Sequence, residues 1–294
     1  MIIALEIGLL FGVMALGVYL TYRVLDFPDL TVDGSFTTGA ATTAILITVG
    51  APVWLAMIAG VISGLIAGAV TGLLHVWANI NPLLAGIITQ IGLYSINLRI
   101  MGKANLPLLR EYNLFTPLRE NGLMGTWVSV GLLAVFVAAV GAATYWFLGT
   151  GFGVAIRATG DNEMMARSHG IDTGVTKVVG LALSNGMVAF AGSLVAQYQG
   201  FADISMGIGL IVAGLASVII GQAIFGMTAV WQSVVAVALG SIIYRGVIQL
   251  ALQAGLSPND MKLISAVLVV LALVLPQWGF FQKWRRARRQ KVAA

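Results

Sequence analysis

Nine stretches of almost uninterrupted apolar residues govern what this chain can become. They fall at 2–22, 35–51, 53–77, 82–101, 124–148, 176–198, 208–225, 229–253 and 261–278. A bilayer core takes about 20 apolar residues per helix, and it offers no water to an open backbone, so windows of this length fold as spanning helices. Charged residues make up 9% of the chain and hydrophobic ones 59%, a balance that excludes a soluble globular domain. The expected fold is all-α and polytopic, with about nine transmembrane helices, or about ten segments if one helix is broken.

The charge pattern orients these spans. Net charge is +5, but 282–291, QKWRRARRQK, holds six of the sixteen Lys and Arg residues. Directly after an apolar window, that run reads as a cytoplasmic anchor facing anionic lipid rather than as a nucleic-acid surface. The amino end, MIIALEIGLLFGVMALGVYLTYR, lacks the basic start and cleavage site of a signal peptide and reads as a retained span. Counting four spans back from the tail puts 157–177 in the cytoplasm, and five more put the amino terminus outside. The loop 102–123, with Lys103, Arg110 and Arg119, then lies outside, against the positive-inside rule.

An internal repeat fits the same scheme. FPDLTVDGSFTTGAATTAILITVG from Phe27 resembles FADISMGIGLIVAGLASVIIG from Phe201, and Val53-Trp54 and Asn81-Pro82 are echoed by Val230-Trp231 and Ser257-Pro258. The chain therefore reads as one transmembrane domain over 1–294. It divides into a first repeat at 1–123, a central span at 124–148, a cytoplasmic loop at 149–176, a second repeat at 176–278 and a basic tail at 279–294. One helix between two four-helix units inverts the second, an arrangement common in transport proteins.

Polar residues among the apolar windows mark candidate sites. Each F-x-D segment sets an Asp and a hydroxyl before a short apolar helix, where a side-chain oxygen can cap free amides. Asp29, Thr31, Asp33 and Asp203 are read either as lining a broken helix on a translocation path or as ordinary caps. Gln90, Tyr94 and Asn97 recur at helical spacing in 81–102 and are assigned to one face, for substrate lining or interhelical hydrogen bonds. Gly60, Gly64, Gly68 and Gly72 form a four-residue ladder for close helix packing. Arg245, mid-window, must meet a carboxylate, carbonyls or water, with an ion pair or subunit contact preferred over substrate.

No catalytic site emerges. The chain has no cysteine, its two histidines stand apart, and there is no phosphate loop, histidine-paired carboxylate set or metal-ligand cluster. No cofactor or metal is expected on this chain, which cannot hydrolyse ATP itself; if it drives uphill transport, ATP and Mg must be bound by a partner. The polar stretch RATGDNEMMARSHGIDTGVTK, 157–177, supplies the means of coupling. Asp161, Asn162 and Glu163 suit a helix start, and Arg167, His169 and Gly170 suit its end, predicting an amphipathic helix of about two and a half turns. So short a helix is marginal alone in water and is explained by docking on another protein.

The stretch GFGVAIRATGDNEMMARSHGIDTGVTKVVGLALSNGMVAFAGSLVAQ resembles the cytoplasmic loop and following helix of ABC-importer permeases of the branched-chain amino acid and ribose type. FPDLTVDGSFTTGAA resembles their early segment. NPLLAGIITQIGLYSINLRIMGKANLPLL is similar to a subgroup encoded beside a lipoprotein-like binding protein, for which aromatic amino acids such as tryptophan are proposed cargo. The resemblance implies a bacterial inner-membrane permease paired with a second copy, two ATPase subunits and an extracytoplasmic binding protein. It assigns Gly160, Asp161, Glu163, Ala166 and Gly170 to the ATPase-contacting motif. Met164 and Met165 stand where that family usually has Ala-Ala, and are expected to tune ATPase recognition. The expected cargo is an amino acid; a sugar or nucleoside permease and a stand-alone secondary transporter are the alternatives.

Overall fold

The computed structural model describes residues 2–226, 229–255 and 260–274. The basic tail, the end of the ninth window and the Ser257-Pro258 echo lie outside the described residues. Helix α1, Ile2–Tyr19, runs on through a π-helical turn at Leu20–Val24. Then come α2 Thr31–Thr48, α3 Val53–Val76, α4 Pro82–Met101, strand β1 Asn105–Pro107, α5 Thr116–Glu120 and α6 Trp127–Gly149. They are followed by α7 Gly151–Asp161, α8 Glu163–Ser168, α9 Thr173–Gln199, strand β2 Phe201–Asp203, α10 Leu210–Phe225, α11 Val230–Gln253 and α12 Met261–Val274.

Among the described residues, six helices are long and apolar enough to cross a membrane: α1 with its π-turn, α3, α4, α6, α9 and α11. The chain is thus all-α and polytopic, but the expected nine crossings exceed the six that length and composition support. Helix α2 is diluted by Asp33, Ser35, Thr37, Thr38, Thr42 and Thr43, and α10 spans only 16 residues. Local chemistry sets the other boundaries. Asn81 caps α4 through Leu83 N with Pro82 in its first turn, and Gly102, at φ 68°, ends it.

Helix α9 is the post of the molecule, packed against α1, α2 and α3. The glycine ladder of α3 lies on it one turn at a time. A Cβ on Gly64 would stand 2.5 Å from Asn185 O, and one on Gly68 2.7 Å from the Leu181 carbonyl carbon. One on Gly72 would stand 2.7 Å from Val178 Cα. These distances are below any real contact, so the two backbones meet only because side chains are absent.

At the far end of α9 from α8, a buried carboxylate that the sequence reading passed over ties three helices together. Glu6 of α1 is 0% exposed. It accepts hydrogen bonds from Tyr198 Oη (2.6 Å), from Gly125 N (2.9 Å) and from the Ser129 hydroxyl. Its only signal was a lone acid in an apolar first window. The antiparallel pair β1–β2, with Leu106 opposite Ala202, closes the same end. The basic loop that broke the positive-inside count folds over it, with Arg119 donating to Tyr198 O.

Candidate functional site: a latched short helix and a polar interior

The polar stretch forms two helices at one end of the molecule rather than one. Asp161 closes α7, Asn162 breaks the chain at φ −160°, and the Asn162 side chain caps α8 by accepting from Met165 N. Helix α8 is therefore six residues long, shorter than the two and a half turns expected. The reason is that Asp161 is the last residue of α7 and His169 lies beyond the last turn of α8. Ile171 N reaches back to Ala166 O, and Gly170, at φ 81°, supplies the left-handed turn that this closure requires.

Behind α8 sits a latch built on one carboxylate. Glu163 Oε1 accepts from Arg167 (2.7 Å), from Lys177 Nζ (2.8 Å) and from Thr173 Oγ1 (3.2 Å). Lys177 stands on α9 and also approaches His75 Nε2 on α3 at 3.4 Å. The hydrogen bond from Lys177, with its charge and that of Arg167, holds the Glu163 carboxyl below the usual carboxylate range against the opposing pull of burial. Ala166 is buried, whereas Met164 and Met165 are 84% and 59% exposed. Gly160 lets α7 lie against the end of the α1 π-turn, where a Cβ would come within 2.9 Å of Leu25 Cα. Thr159 and Thr176 hydroxyls join α7 to α9 at 2.9 Å. The assembly is a short exposed helix bolted from behind to α9 and α1.

The polar interior brings together some of the expected pathway residues and separates others. Asp29 caps α2 through Thr31 N and accepts from Asn185 Nδ2 at 2.6 Å. Thr31, Thr71 and Thr89 hydroxyls run in a chain at 2.7 and 2.9 Å. Asp33 does something the sequence could not show. Its carboxylate accepts from Gly209 N (2.7 Å) and Ile211 N (2.8 Å), capping α10 from across the molecule. Asp203, expected to cap α10 locally, instead holds Ser205 N and Asn105 Nδ2, because α10 begins only at Leu210. The two F-x-D segments therefore differ in register: α2 starts four residues after its Phe, α10 nine after.

On α4, Gln90 and Asn97 both stand beside Gly34 of α2, while Tyr94 is turned toward the exposed side. Asn97 is buried against Gly34 O of α2, Tyr94 is 48% exposed and Gln90 is half-buried. The buried stripe runs through Ala85, Thr89, Leu93 and Asn97. Position 90 lies about two turns before 97 on the same side, beside Gly34 of α2, whereas Tyr94 stands at the exposed margin of that face. Arg245 likewise departs from expectation: among the described residues no ion pair includes it, and its guanidinium lies over the Phe11 ring at 3.6 Å.

Because Asp33 places full charge on the open amides of α10, Asp33→Ala is expected to cost about 1.5–3 kcal/mol, the range for hydrogen bonds to charged groups. Thermal unfolding of the purified protein in detergent measures this. Asp33→Asn should recover part of the loss, and an unchanged midpoint for Asp33→Ala would show that the cap is dispensable.

Comparison with known proteins gives consistent results. The family described as "Branched-chain amino acid transport system / permease component" matches residues 1–274. A tyrosine transport system permease protein of Clostridioides difficile is 42% identical over 266 residues, covering 90% of this chain and 88% of that one. An uncharacterized protein of Rickettsia prowazekii is 32% identical over 278 residues, covering 93% and 96%. Among solved structures, PsaBC from Streptococcus pneumoniae in complex with Fab shares the fold, with a TM-score of 0.51 at 15% identity, covering 92% and 88% of the two chains.

Proposed function

Because this chain belongs to the branched-chain amino acid transport permease family and is an ABC-type importer permease, we propose that it carries an amino acid with an aromatic side chain and couples its movement to ATP hydrolysis through α8. Membership of the family implies an ATPase and a binding protein as partners. The cargo reading is supported by the 42% identity to a tyrosine transport permease. A sugar or nucleoside cargo has no comparable support, and a stand-alone secondary transporter would have no use for a latched external helix.

The observation that carries the coupling reading is α8 itself, an exposed pair of methionines on a helix anchored from behind. Flexible, polarizable methionines suit a protein-binding surface. Motion of a docked ATPase would push α8, and Lys177 and Gly160 would pass the push to α9 and α1 without slack. Helix α8 then faces the cytoplasm and the amino terminus lies outside. Helices α2 and α10, which start at buried points, would act with α12 as the remaining crossings of two inverted repeats around α6. Two copies form the pore in this reading.

The test is co-purification with the cognate ATPase subunit. Met164→Glu with Met165→Glu places two charges on the docking face without touching the latch. Loss of ATPase retention with an unchanged unfolding midpoint is the expected result. Full retention and full transport by this variant would remove α8 as the docking element.

A further inference from the structure

A cavity of about 330 Å³ opens between α1, α2, α9, α10 and α11 toward the β1–β2 end, and none of the features above uses it. The volume is at the lower end of small-molecule sites, roughly 300–1,000 Å³. Its wall has three kinds of chemistry. Arg245 enters from α11, with its Nε buried and without an acceptor among the described residues. Phe11 and Phe36 form an aromatic wall, their centroids 6.0 Å apart and their planes at 29°. Phe201, Asp203 and Met206 line the cavity from β2 and the turn that follows it.

A guanidinium among apolar side chains is costly without a counter-charge. Phe11 holds it flat by cation–π contact, which orients its planar fork but supplies no anion. The cavity is therefore complete on its apolar side and open on its ionic side. Asp203 provides the opposite charge. Burial pushes its carboxyl up, but hydrogen bonds from Ser205 and Asn105 more than offset this and leave it below the usual range, so it is ionised at neutral pH.

We infer that this cavity is a binding site for a free α-amino acid with an aromatic side chain. Arg245 takes its carboxylate, Asp203 its ammonium group, and Phe11 and Phe36 its ring. Guanidinium matches carboxylate with two parallel hydrogen bonds, and offset aromatic packing favours a ring over a branched aliphatic chain. The site rests on the importer reading, since a cavity lying between spanning helices has its purpose in transport.

The experiment uses the permease–ATPase complex in nanodiscs without the binding protein, with radiolabelled L-phenylalanine as probe. Competitors are 3-phenylpropionate, which lacks the ammonium group, and phenethylamine, which lacks the carboxylate. Arg245→Gln should weaken L-phenylalanine binding roughly 10- to 100-fold and abolish competition by 3-phenylpropionate while leaving that by phenethylamine. Asp203→Asn, in the strand pair rather than a spanning helix, should show the mirror pattern. Arg245→Lys keeps the charge without the fork and should fall between. Absent binding to the wild-type complex, or wild-type binding by either Arg245→Gln or Asp203→Asn, would overturn the site. ATP-driven uptake in proteoliposomes with the binding protein separates the two readings. Binding without uptake would sink the aromatic-cargo reading and leave the site, whereas uptake with unaltered binding by Arg245→Gln would overturn the site and leave that reading.

Discussion

Glu163→Gln is expected to uncouple the permease while leaving it folded. The substitution keeps the shape of the side chain but removes the charge that holds Arg167 and Lys177 together with Thr173 on one oxygen. Helix α8 would then be tied to α9 only through the chain and the neighbouring threonines. With six residues it cannot hold itself in water. In a reconstituted complex with ATPase and binding protein, substrate stimulation of ATP hydrolysis should fall about fivefold or more, the scale of a coupling free energy between sites. Retained stimulation would sink the latch as the transmission element.

The same carboxylate gives a pH signature. The native Glu163 carboxyl lies below its ordinary value, chiefly because Lys177 donates to it. Its contribution to stability is therefore complete above the unfolded value of about 4.3 and is lost as pH falls through the lower native value. The difference in unfolding midpoint between wild type and Glu163→Gln should be constant from about pH 5.5 to neutrality and close only below the ordinary carboxylate range.

Gly64→Leu combined with Gly68→Leu is the second large effect, and it should prevent folding. Each glycine faces the α9 backbone, so even a Cβ would stand 2.5 Å from Asn185 O or 2.7 Å from the Leu181 carbonyl carbon. Backbone cannot swing aside as a side chain can. The seam must open along its length, which separates Asn185 from Asp29 as well. Overpacking costs about 1–3 kcal/mol per site and more where nothing yields. Size-exclusion chromatography of the expressed protein should give aggregate in place of a monodisperse peak. Gly92→Ala and Gly131→Ala, where an added Cβ meets nothing within 4 Å, are the controls and should leave the peak unchanged. A monodisperse double variant would refute the seam.

The sequence was read most accurately where the physics is short-ranged. Apolar windows located the six helices that are, among the described residues, long and apolar enough to span, because burial in lipid is decided residue by residue, but they counted three more that length and composition do not support. The four-residue spacing of Gly60 to Gly72 announced a packing face, and Asn162 and Gly170 sit at the cap and turn that their chemistry predicts. The length of α8 was misread because two adjoining helices share one polar run, and Asp161 serves the end of the first. On α4 Gln90 and Asn97 both stand beside Gly34 of α2, as their seven-residue spacing dictates, whereas packing leaves Tyr94 at the exposed margin.

What the sequence by itself determined, then, is an all-α membrane chain with a short polar helical element between its apolar windows. Tertiary structure alone decided which charges complete which sites. Asp33 caps a helix 176 residues away, Glu6 meets a tyrosine 192 residues on, and Arg245 reaches across to Phe11 and a cavity shared by five helices. The reason is physical: in an apolar interior a lone polar group must find its complement, and which complement is near depends on how the helices stack, a relation that no local pattern encodes.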